Sequence, residues 1–105
     1  MIEALHQFIT LVKNDAFVEG HEILETDWRK LKKISGKENE ANILKGLING
    51  STALALSRLG KKVGAKLVWD TFEKYAPLID TTPSEATSLF YEAKALLYEK
   101  HLSYM

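Results

Sequence analysis

Residues 17–31 read FVEGHEILETDWRKL, and the phase of this stretch decides what the chain builds. Side chains three, four and seven positions apart share one face of a helix. That spacing puts Phe17, His21, Leu24, Trp28 and Leu31 on one stripe, with Glu25 one turn beyond His21 at its edge. The stripe predicts a helix turned toward a core, with an imidazole and a carboxylate aimed at or beside the apolar interior. Buried polar groups need partners. The expectation is therefore a core histidine bonded to Glu25, with the Trp28 indole packed one turn on, a pair that fixes how this helix seats on its neighbour.

The flanking segments are also helical. Ile2, Leu5, Phe8, Ile9 and Val12 recur at helical spacing over residues 2–13. Asn14-Asp15 interrupts the pattern, and Asp15 is the expected N-cap of a second helix over residues 16–33. Arg29, Lys30, Lys32 and Lys33 give that helix a cationic end suited to its dipole. Ser35 and Glu38 have capping-box spacing, and a third helix over 37–59 stops at Gly60. Inside it, Gly46, Gly50, Ala53 and Ser57 line one side. A glycine within a helix costs ~1 kcal/mol relative to alanine, so this face should receive another backbone or the bulky Trp28.

A fourth helix over 61–75 carries Ala65, Val68, Trp69 and Phe72, continues to Ala76 and yields to Pro77. Thr82-Pro83-Ser84-Glu85 is a start signal with N-cap threonine, proline at the first position and a closing glutamate. The fifth helix, over 83–102, is apolar on two sides. Ala86, Leu89, Phe90, Ala93 and Leu97 form one stripe; Tyr91, Ala95, Tyr98 and Leu102 form another, about 100° away. The second stripe either covers the first helix or makes a homodimer contact, for which Tyr91, Tyr98 and Leu102 are the candidates. No alternating run or Asn-Gly turn suggests a strand. The reading is an all-α, five-helix antiparallel bundle, one helical domain over residues 1–105.

Composition narrows the function classes. The chain of 105 residues has 46% hydrophobic and 27% charged residues, and no cysteine. Thiolate catalysis and cysteine-ligated zinc are excluded. No apolar run approaches the ~20 residues of a membrane span, and Glu3 and His6 stand where a signal peptide would carry Lys or Arg. A cytoplasmic protein without membrane association is expected. The net charge is zero but uneven: residues 28–66 hold ten Lys or Arg against Glu38 and Glu40, between two acidic flanks.

The order Phe17-x-x-Gly20-His21-Glu22-x-Leu24-Glu25-x-x-Trp28, then Leu44-x-Gly46-Leu47-Ile48, then Gly60 and Gly64-Ala65, resembles a small bacterial and archaeal family. That family is known as domain of unknown function three-hundred-and-nine. The resemblance covers about residues 10–72 and implies a compact all-helical domain with no established activity. Three positions depart from the family pattern. Lys45 and Asn49 replace glutamines, and Leu56 or Ala55 stands where the family commonly has a histidine. If that histidine joins His21 in a site elsewhere, the site is incomplete here. The tail from Pro77 onward has no counterpart in the pattern.

These blocks nominate His21, Glu22, Glu25, Trp28, Gly46, Asn49 and Gly50 as a functional face. His21 and Glu25 are the metal-ligand candidates, with Glu22 nearby. However, the chain has neither the Glu-x-x-His repeats of di-iron bundles nor a zincin His-Glu-x-x-His, so no metal or other cofactor is expected. His6 and His101 lie on the first and fifth helices. A His-Glu pair could orient a general base, but Ser51, Thr52 and Ser57 are mid-helix and no nucleophile elbow exists. The basic groups Arg29–Lys37 and Arg58–Lys66 fall at opposite ends of the third helix, about 30 Å apart; nucleic acid is not the expected partner. The preferred reading is a non-catalytic interaction or scaffold domain with a protein partner or a second copy. The competing classes are an enzyme centred on His21, Glu22 and Glu25, and a nucleic-acid-binding protein.

Overall fold

The first helix, α1 (Ile2–Lys13), commits Leu5, Phe8, Ile9 and Val12 to the interior, as the 3.6-residue period of its apolar residues requires. It ends at Asn14. Asp15 then takes φ 60°, a left-handed conformation that aspartate tolerates better than most side chains. Asp15 does not cap the next helix. Ala16 occupies that position without a side-chain bond, while the Asp15 carboxylate reaches to the opposite end of the chain.

The computed structural model describes all 105 residues. It is an all-α bundle of five helical rods, the second of which is jointed: α2 (Phe17–Ile23) and α3 (Glu25–Leu31) meet at Leu24. The central rod is α4 (Glu38–Arg58). Its 21 residues span about 30 Å. It buries residues on most of its circumference, among them Ile43, Leu44, Leu47, Ile48, Ala53 and Leu54, and so behaves as a core helix. The expected Ser35–Glu38 capping box does not form: Lys37 holds the cap position without a side-chain bond, and the Glu38 carboxylate accepts the Gly36 N–H at 3.0 Å. Its own backbone amide and then that of Gly36 hold the Glu38 carboxyl below its usual range.

The small residues of α4 serve two interfaces. Gly46 and Gly50 admit α5 (Lys62–Tyr75) and α6 (Thr87–Tyr104). A Cβ on Gly46 would lie 3.1 Å from Tyr75 Cβ, and one on Gly50 would lie 2.8 Å from Leu97 Cδ1. This corrects the expectation that Trp28 fills the glycine face. Trp28 is on another side of α4, beside Lys45, Ile48 and Asn49. Where α2 crosses α4, Ser51 Oγ donates to Phe17 O at 2.7 Å, and a Cβ on Gly20 would lie 3.0 Å from that hydroxyl.

After α5 the chain makes a 3₁₀ turn, Ala76–Asp80, with Pro77 near its start. The last helix begins at Thr87, not at Pro83. The cause is a tertiary bond: Ser84 Oγ donates to the buried Glu40 carboxylate at 2.8 Å and accepts the Ala86 N–H at 3.1 Å. Ser84 therefore ties the connection down on the first turn of α4 instead of opening a helix.

α6 buries Leu89, Phe90, Ala93, Leu96 and Leu97. Its expected second stripe is not one exposed face. Tyr98 turns inward, 5.5 Å from the Trp69 ring and 5.3 Å from the Phe72 ring. Tyr91 and Leu102 stay outside. No helix is long and apolar enough to cross a membrane.

Candidate functional site: a groove between two helices

Half-exposed side chains form a narrow stripe on α4, in which Lys45, Asn49, Thr52, Ala55 and Leu56 recur at three- and four-residue steps. The jointed rod α2–α3 runs along one side of this stripe. Two hollows open between them. One, of about 180 Å³, is lined by Glu25, Trp28, Lys45, Ile48 and Asn49. The other, of about 210 Å³, is almost wholly apolar and is lined by Val18, His21, Thr52, Ala55, Leu56 and Leu59.

His21 and Glu25 belong to different hollows but are bonded to each other, Nε2 to Oε1 at 2.8 Å. The sequence places them one helical turn apart, and the fold realises the pair. Its setting differs from the expected one. The His21 and Glu25 side chains are 33% and 29% exposed, so this is a pair at the rim of a groove and not a core histidine. The phase explains the shift: the inward positions of α2 are Phe17, Gly20 and Leu24. A stripe built from large side chains skips Gly20, which faces inward because it lets Ser51 approach.

Both partners have further contacts within the chain. His21 Nδ1 is 3.3 Å from Val18 O. Arg29 Nη2 donates to Glu25 Oε2 at 2.7 Å, a third member signalled by its position one further turn along. Both imidazole nitrogens therefore face acceptors of the chain itself, and both carboxylate oxygens have partners. Glu22 is exposed and takes no part. Asn49 Nδ2 donates to Lys45 O at 2.7 Å and Thr52 Oγ1 to Ile48 O at 3.0 Å, so these polar side chains fold back on α4. Lys32 Nζ lies 4.2 Å from the Trp28 ring centroid, within cation–π range.

Of the nominated face, the fold gathers His21, Glu25, Trp28 and Asn49 along the groove. It sends Gly46 and Gly50 to the side facing α5 and α6. His6 is exposed on α1, and His101 stacks on Trp69 at 4.2 Å; neither approaches His21. No three His, Asp or Glu side chains cluster in a way that could hold a metal ion. Thr52, weighed in the sequence only as a nucleophile, and Ala55 and Leu56, flagged only as the place of a missing family histidine, line the apolar hollow beside His21; Leu59 carried no functional signal, because an aliphatic residue at a helix end is ordinary.

The sequence profile of a family described as domain of unknown function (DUF309) matches residues 5–68, which carry most of α1, all of α2 to α4, the groove and the first half of α5. No curated protein and no solved structure matches the chain.

Proposed function

The chain belongs to the DUF309 family, whose description carries no activity, and we propose from the groove itself that the protein is a non-catalytic interaction domain. The groove between α2–α3 and α4 holds a segment of a protein partner, with Trp28 and the aliphatic floor supplying apolar contact. The hydrogen-bonded chain His21–Glu25–Arg29 supplies a polar edge.

The observation that carries this reading is the direction of the His21–Glu25 pair, whose ring nitrogens and carboxylate oxygens face groups of the chain itself. A general base needs a lone pair directed at substrate, and a metal ligand needs one directed at the ion. Here both ring nitrogens face Glu25 and Val18 O, and Arg29 occupies the second carboxylate oxygen. Apolar floors with a few fixed polar groups are the usual form of a recognition groove.

Two measurements test the proposal. A photoreactive residue at Thr52, in the groove, should give cross-links in cells that the same residue at Glu92, exposed on α6, does not. Elemental analysis of protein purified without chelator should show no stoichiometric metal. Equal cross-linking from both positions overturns the reading, and so does stoichiometric metal that His21→Ala removes.

A further inference from the structure

Four of the most exposed large aliphatic side chains lie on α2 and around the turn between α4 and α5: Val18, Leu59, Val63 and Leu67, at 54%, 71%, 79% and 66% exposure. Val18 and Leu59 line the mouth of the apolar hollow beside His21. Past the turn at Gly60, the first two turns of α5 carry two more exposed aliphatics, Val63 and Leu67. Leu56 Cδ1 abuts the Gly64 position at 3.8 Å, and Val63 and Leu67 stand one helical turn apart alongside it. Large contiguous apolar surface on a soluble domain marks an interaction site. Aliphatic knobs here stand next to a hollow of about 210 Å³, so one patch carries both the projection and the recess.

The charges around the patch are also paired in kind. On the α2 side, Glu19 and Glu22 are exposed and make no ion pair or side-chain hydrogen bond. On the side of the α4–α5 turn, Lys61 is exposed and equally free. The other nearby cations are engaged: Arg58 with Asp15 O, Lys62 with Ser57 and Tyr104 O, and Lys66 with Asp70. In a two-fold pairing through these residues, the α2 side of one copy would face the turn of the other. Acid then meets base twice, and knob meets hollow twice. Isologous contacts are self-complementary in this way.

We infer that this patch, centred on Leu59, is a homodimer face, with Glu22 of each copy opposite Lys61 of the other. The inference deepens the reading of the groove as an interaction site, since it names a second copy of this chain as the occupant of its apolar end. It also moves self-association away from the α6 stripe of Tyr91, Tyr98 and Leu102. An anionic membrane is the less fitting partner, because three of the four neighbouring cations are spent within the chain and two free carboxylates border the patch.

Sedimentation equilibrium over a range of concentrations tests the inference. The parent protein should be dimeric. Leu59→Glu should weaken the dimer by at least about tenfold with the far-ultraviolet circular dichroism unchanged, because an exposed side chain is not part of the core. Glu22→Lys and Lys61→Glu should each weaken it, and the double variant should recover affinity. A monomeric parent, a dimer indifferent to Leu59→Glu, or binding of anionic vesicles by a monomer through these residues would each overturn it. The outcome is separable from the groove reading: a monomer whose groove still cross-links selectively to other proteins removes the dimer alone.

Discussion

A methyl group at Gly46 would sit 3.1 Å from Tyr75 Cβ and 3.6 Å from Phe72 O, atoms that no side-chain rotation can move aside. Gly46→Val should therefore lose about 2–3 kcal/mol of stability in urea unfolding, from overpacking and β-branching. At Gly50 the nearest atom is the tip of Leu97, which can rotate. Alanine there should cost less than valine at Gly46, since the gain of ~1 kcal/mol in helix propensity opposes the clash. Two glycines inside a helix were legible as a demand for close approach; which helix approached was not. Local spacing says nothing about partners more than twenty residues away. The same limit moved His21 from core to rim. Periodicity is scored on bulky apolar residues, and Gly20, the inward residue, has no side chain to score. Because the His21–Glu25 pair is about one-third exposed and Glu25 keeps Arg29, His21→Ala should lower stability by less than ~1 kcal/mol.

The helices themselves were largely readable, and their ends less so. Apolar periodicity located α1, α4, α5 and most of α6, because each buries a stripe wide enough to dominate its composition. The start of α6 was not readable. Thr82-Pro83-Ser84-Glu85 has every local mark of a helix start, yet Ser84 bonds Glu40, 44 residues earlier in the chain, and a tertiary bond outweighed the cap. The two stripes of α6 were seen correctly as apolar, but only the rings around Tyr98 decide which way it turns. With that ring packed on Trp69 and Phe72, burial and then the negative charge of Glu73 push the Tyr98 hydroxyl pKa upward. Tyr98→Glu should accordingly destabilise the monomer by about 3 kcal/mol or more, read as a lowered urea midpoint, from lost packing and a stranded carboxylate.

Across the whole molecule, one cluster fastens the end of α6 to the turn after α1. Lys100 Nζ lies 2.7 Å from Asp15 Oδ1, and the Tyr104 hydroxyl donates to Asp15 Oδ2 at 2.7 Å. The Tyr104 ring meets Phe17 edge-on at 5.3 Å. Bonds from Lys100 and then Tyr104 hold the Asp15 carboxyl below its usual range. The bond to Asp15 holds the Tyr104 hydroxyl above its usual range. The signs follow from linkage. A depressed carboxyl contributes stability above its unfolded value near 3.8 and loses it as pH falls through the lower folded value. A raised phenol contributes below its unfolded value near 10.0 and loses it as pH rises through the higher folded value. Urea midpoints measured across pH should fall at both edges, and Tyr104→Phe should shrink the alkaline fall attributable to this phenol while softening the acid one. Nothing in the sequence joined positions 15 and 104; only the return of α6 along α1 brings them together.

The joint at Leu24 has its own consequence. His21 stands on α2 and Glu25 on α3, so their bond is a strut across a knee. Cutting the strut should leave α2 anchored through Phe17 and Ser51, while the shin below it, which buries none of its seven residues fully, swings more freely. Deuterium uptake in His21→Ala should thus rise selectively at the amides of residues 26–32, with α1 and α4 as protected as before. Uniform uptake across the chain would mean that the knee is held by something other than this imidazole.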